Sequence, residues 1–134
     1  MAAHAEGFGT LASNRYSHAE GDETRSCGRG SHSEGRYSDA TADGAHAEGY
    51  KTTASGKYSH TEGNSVSALA DGAHAEGYKT TASELYGHSE GYYSVASGPN
   101  SHAEGRETEA SGEQSHASGY LTKAKGKNTF TAGC

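Results

Sequence analysis

Ser101-His102-Ala103-Glu104-Gly105-Arg106-Glu107-Thr108-Glu109-Ala110-Ser111-Gly112 is one pass of a motif that runs the length of the chain. All nine histidines, His4, His18, His32, His46, His60, His74, His88, His102 and His116, stand fourteen residues apart, and Phe130 takes the next place. Two residues after the first eight come Glu6, Glu20, Glu34, Glu48, Glu62, Glu76, Glu90 and Glu104. Three residues after every site of the series stands a glycine: Gly7, Gly21, Gly35, Gly49, Gly63, Gly77, Gly91, Gly105, Gly119 and Gly133. Such strict phase is the mark of a repeat architecture. It predicts one array over residues 1–134, nearly ten units long, with no linker and no second domain.

The period overrides what composition alone implies. Leu, Ile, Val and Phe number only eight in 134 residues, against twenty Gly, nine Tyr, one Pro and no Trp. That inventory cannot build an ordinary enzyme core and would pass for a disordered chain. No stretch is apolar enough to span a bilayer, and Met1-Ala2-Ala3-His4 lacks the pattern of a signal peptide.

Fourteen residues are too few for a helical hairpin repeat, which needs about thirty. They fit two short strands and two tight turns, so the expected fold is all-β, a parallel β-solenoid of fourteen-residue coils. Strand alternation sorts the columns. The residues just before, just after, six beyond and eight beyond each His are Ser, Ala and Thr except at Gly87 and Val66, small enough to fill a narrow coil. The Gly three beyond His is expected to turn one corner with φ > 0. A second corner falls at Gly28, Gly56, Gly98, Gly112 and Gly126, a place also held by Asn14, Ala42, Ala70 and Glu84.

The unit Ser-His-Ala-Glu-Gly followed by x-x-Thr-x-Ala-x-Gly resembles the head repeat of YadA-like trimeric autotransporter adhesins, which carries Ser-Val-Ala-Ile-Gly-x-x-Ser-x-Ala-x-Gly in the same phase. Similar Ser-His-Ala-Glu-Gly arrays occur in phage and prophage tail-fibre proteins. The resemblance implies a left-handed roll, against the usual right-handed crossover, that assembles side by side as a homotrimer. It implies a non-enzymatic part of a longer fibre, at the cell surface on an outer-membrane anchor or on a virion, attaching to a host-surface protein or glycan. Where the family has Val and Ile, this chain has His and Glu.

His and the Glu two residues on share one strand face. The column seven beyond His drifts freely (Leu11, Arg25, Asp39, Thr53, Ser67, Thr81, Val95, Glu109, Lys123), as a solvated face does, whereas the His column does not change until Phe130. The stack of His4, Glu6 and their equivalents through His116 and Phe130 is therefore expected to line the trimer interface. The eight repeat glutamates also account for the acidity, since the other nine acidic residues face eleven Lys and Arg in a chain of net charge −6. Hydrogen-bonded His–Glu rungs would relieve the crowding of like charge, with partners on neighbouring chains because about 7 Å separates the two Cα atoms along one strand. Their carboxyls are expected below the usual range.

Competing chemistry is weaker. His-x-Glu is half of a zinc or nickel site, but nine identical metal rungs would be odd, so no metal or cofactor is expected and a metal- or ion-binding β-solenoid stands as the alternative from another class. Each Ser beside a His points to the opposite face, which spoils a catalytic triad. Cys27-Gly28-Arg29-Gly30 lacks the strand-to-helix setting of a phosphate loop. An acidic chain without a basic stripe is no nucleic-acid binder. The Thr column is in phase with the interior, which argues against ice binding. Tyr50, Tyr78, Tyr92 and Tyr120, directly after the turn glycines, are the candidate ligand contacts, because exposed Tyr is enriched at recognition surfaces; stacked rings sheathing the corners are the alternative. Cys27 and Cys134 lie almost eight coils apart, too far for an intrachain disulfide.

Overall fold

Each histidine opens a five-residue strand, as in His46–Tyr50, and a two-residue strand such as Thr53–Ala54 follows after one turn. A computed structural model describes residues 2–133. It holds nineteen strands and, among the described residues, no helix. The long strands form a ten-stranded sheet and the short ones a nine-stranded sheet, each in sequence order. All neighbours are parallel, and each is displaced by one repeat: His46 faces His60, Glu48 faces Glu62 and Gly49 faces Gly63. Like therefore lies on like along the whole solenoid.

The interior is the space between the two sheets, and it is filled as alternation predicts. Around His46 the four inward positions are Ala45, Ala47, Thr52 and Ala54, all buried. Val66 is among the largest fully buried side chains. Because the bore admits only small residues, backbone pairing carries much of the burden of satisfying polar groups that burial cannot leave free. The Thr column (Thr24, Thr52, Thr80, Thr108) is inside and presents no flat Thr surface. The Ser before the histidine has its own task. Ser31, Ser59 and Ser115 donate their hydroxyls to the carbonyls of Gly28, Gly56 and Gly112, each at 2.7 Å, and so fasten the second turn.

The first corner needs glycine for two reasons. From Gly7 to Gly119 the residue has φ between 105° and 125°, a region closed to L side chains. A Cβ there would also collide with the carbonyl oxygen of the equivalent glycine one coil on. Gly133 ends the last strand. At the second corner the turn falls where expected, but the left-handed residue is two places later, at Tyr16, Gly30, Gly44, Tyr58, Gly72 and Tyr86. Gly56 itself is required by crowding, since a Cβ would strike the Ala70 carbonyl. Among the described residues, fourteen non-glycine residues occupy the left-handed region, at roughly 1–2 kcal/mol each. Cross-coil hydrogen bonds hold them there: the Tyr58 N–H donates to the Asp43 carbonyl and the Tyr93 N–H to the Tyr78 carbonyl, both at 2.9 Å.

Candidate functional site in the histidine and glutamate face

Since the long strands stack in register, their outward His side chains stack too. Adjacent imidazole centroids are 4.5–5.0 Å apart from His4 to His116, and Phe130 closes the row edge-on to His116 at 5.0 Å. The rings are perpendicular at His4 and His18 and within 7° of parallel from His46 to His102. From His18 onward the imidazoles are half-buried. Beside them runs the carboxylate column, and beyond it the bare glycines leave an open groove of about 670 Å³ along Glu62, Glu76, Glu90 and Glu104.

Within the chain, most of the histidines also approach a carboxylate of their own strand. Both side chains lean along one strand face and meet across the gap of about 7 Å between their Cα atoms. His4 reaches Glu6 at 3.4 Å and His32 reaches Glu34 at 3.1 Å, while His18, His46 and His74 approach the Glu of their own strand at 3.5–3.8 Å. Near the C-terminal end the partner shifts by one coil. His102 lies 3.5 Å from Glu90, and His116 donates to Glu104 at 3.1 Å. The loss of Glu from this column at Ser118 accounts for the shift at His116, which has no carboxylate on its own strand.

Two histidines are left over at this change of register. Among the described residues, His60 and His88 have no carboxylate within 4.0 Å of the ring. The Nε2 atoms of His18, His46, His60, His74, His88 and His102 are shielded yet without a hydrogen-bond partner. Protonation is correspondingly disfavoured. Burial, then the neighbouring imidazoles, pushes His46, His74, His88 and His102 below the ordinary histidine value.

The glutamates divide. The His116 hydrogen bond holds Glu104 below the usual carboxylate range, as expected. Glu90 goes the other way, pushed up to about 6 by a hydrogen bond with the Glu76 carboxyl and then by burial. The expectation of uniformly lowered carboxyls is corrected here: in-register stacking sets carboxylates against one another as well as against imidazoles.

The tyrosines form two groups. Tyr78 and Tyr92 stack at 5.2 Å, with Tyr93 edge-on to both. The Lys79 ammonium lies over Tyr93 and donates to its hydroxyl at 2.8 Å, and the Arg106 guanidinium lies over Tyr92 and Tyr120. Tyr50 is apart, edge-on to Tyr37 at 6.1 Å. Asn64 interrupts the column between Tyr50 and Tyr78. Lys79 and Arg106 were not singled out by sequence; their shared fourteen-residue phase with the tyrosines was the signal. Cys27 carries a free thiol, while Cys134 lies outside the described residues.

Fold and face define a parallel β-solenoid repeat protein. Residues 89–107 match the YadA head domain repeat in two copies, and the coils on either side continue the chain's own fourteen-residue register. Over those residues the chain is similar to a YadA-like head repeat, and the parallel β-solenoid is consistent with that likeness. No curated protein matches it. No helix among the described residues is long and apolar enough to cross a membrane.

Proposed function

We infer that the chain is a head segment of a trimeric surface adhesin, in which three left-handed solenoids stand side by side with their His–Glu faces on a common axis. The observation that carries this reading is the row of six shielded, unpartnered Nε2 atoms on an otherwise invariant face. Buried polar atoms are normally paired, and a second and third copy of the same face would bring carboxylates and water to them. The small-residue interior points the same way, because a bore of Ala, Ser and Thr buries little apolar area and association would supply much of the missing stability. The assembled array, one uninterrupted domain, would project from the outer membrane. Attachment to a host-surface protein or glycan falls to the corners, where Tyr78, Tyr92 and Tyr120 stand with Lys79 and Arg106, and to Tyr50.

Sedimentation equilibrium of the purified chain tests the reading, with a three-chain mass expected and a monomer overturning it. The variant His60→Val/Glu62→Ile/His74→Val/Glu76→Ile, which restores the apolar pair of the family repeat in two adjacent coils, should remain trimeric. Charge reversal at the same place in the unaltered chain, Glu62→Lys/Glu76→Lys, should dissociate the trimer, and an intact trimer there would remove the His–Glu face from the interface.

A further inference from the structure

Nine repeats of the same letters do not give nine equivalent sites. Where the His–Glu pairing changes from the same strand to the next coil, three ligand-type atoms converge: one ring nitrogen each from His88 and His102 and one carboxylate oxygen of Glu90, all within 4.8 Å of one another. Among the described residues no other group of three His, Cys, Asp or Glu side chains meets so closely. We propose that His88, Glu90 and His102 form a site for one divalent transition-metal ion of the zinc class, held by two imidazole nitrogens and one carboxylate oxygen.

One of the three separations already fits a shared ion. Zinc lies about 2.0–2.2 Å from N and O ligands, so two ligands of one tetrahedral ion stand about 3.4 Å apart. The His102 Nε2 to Glu90 Oε1 separation is 3.5 Å, long for a hydrogen bond and right for a shared ion. His88 differs from His60, the other ring without a carboxylate, in that the carboxylate of its own strand, Glu90, is approached by His102 of the following coil. Its Nε2 is shielded and has no hydrogen-bond partner, and Glu76, the carboxylate of the preceding coil, lies with His74. The His88 ring is stacked 5° from parallel on His102 at 4.5 Å, so ligation requires it to turn out of the stack towards Glu90. Three ligands from one chain leave the fourth position to water or to another copy.

The charge balance favours the same species. The repeat glutamates carry the excess acidity of the chain, and the groove beside Glu90 is lined by Glu62, Glu76 and Glu104 as well. A divalent cation offsets that charge, and mixed imidazole and carboxylate donors suit zinc better than calcium or magnesium, which take oxygen alone.

Cobalt(II), a spectroscopic stand-in for zinc, gives the test. Untagged chain stripped with chelator is titrated with Co²⁺, followed by visible d–d absorption, and bound metal is counted after gel filtration. One tight ion per chain with a four-coordinate spectrum is expected. Glu90→Gln and His88→Gln should each weaken it by about 100-fold or more, since even outer-shell changes cost 10–100-fold. His60→Gln, which removes an equally unpartnered ring from the same stack, should leave it unchanged. No tight ion, several equivalent ions per chain, or equal loss in His60→Gln would overturn the site. Sedimentation of the stripped and loaded protein separates this result from the trimer: a metal-binding monomer would remove the assembly and keep the site.

Discussion

Gly49 sets its bare Cα against the carbonyl oxygen of Gly63 in the next coil, with no room for a methyl group between them. Its φ of 115° is equally closed to other residues. Gly49→Ala is therefore expected to cost at least about 3 kcal/mol, combining backbone strain with a clash against a neighbour fixed by its own ladder. Gly30→Ala makes the control. Gly30 has φ 64°, and a methyl group on it would meet nothing within 4 Å, so its cost should stay near roughly 1 kcal/mol. Denaturation midpoints at one fixed chain concentration decide it, and equal losses would refute the steric account.

Gly44 has nearly the same backbone as Gly30 but a different roof. A Cβ on Gly44 would stand 2.6 Å from the ring of Tyr58. Gly44→Ala should destabilise more than Gly30→Ala, and Tyr58→Ala should restore the difference. A double-mutant cycle measures this as a coupling of about 1 kcal/mol; simple additivity would mean that the ring moves aside freely.

Thr52 is buried with its hydroxyl unpartnered, and Val66 fills the equivalent place one coil on. The bore therefore already accepts a valine in this column. Thr52→Val keeps the shape and removes an unsatisfied hydroxyl, so a gain of about 1 kcal/mol is expected. A loss in thermal or chemical denaturation would show that the hydroxyl is paired in solution.

Acid should loosen the solenoid well above the carboxylate range. His46, packed among His32, His60, Glu34 and Glu48, and His74, packed among His88, Glu62 and Glu76, both have lowered pKa values, with burial as the leading cause. The folded state thus favours the neutral rings. Their stability is fully present above the unfolded value of about 6.5 and is lost as pH falls below it towards the folded values. The raised Glu90 opposes this, because its contribution fades as pH rises through about 6. The lowered histidines outnumber it four to one, so the Tm of the chelated protein should drop as pH falls below about 6.5. His46→Gln/His74→Gln should flatten that slope. An unchanged Tm over that fall would contradict the assignment.

Much of the fold was legible because the repeat reports the same decision many times. Alternation placed Ala47, Thr52 and Ala54 inside, and the unvarying glycine located the first corner. The second corner was harder, because its left-handed residue is Tyr16 or Tyr58 as readily as Gly30, and only the cross-coil N–H donors explain that tolerance. The face was less legible still. Nothing in the letters separates His60 from His88, since each precedes a Glu by two residues. The difference arises from a change of pairing that ends at Ser118, which leaves His116 to draw on Glu104.

In-register stacking also makes length a digital quantity. Every contact between neighbouring coils repeats with the same fourteen-residue step, so a gain or loss of fourteen codons adds or removes one rung of about 4.8 Å and leaves the remaining rungs in place. An insertion that is not a multiple of fourteen shifts His, Glu and Gly out of their columns downstream. Reach can therefore evolve in whole steps without redesign of the cross-section.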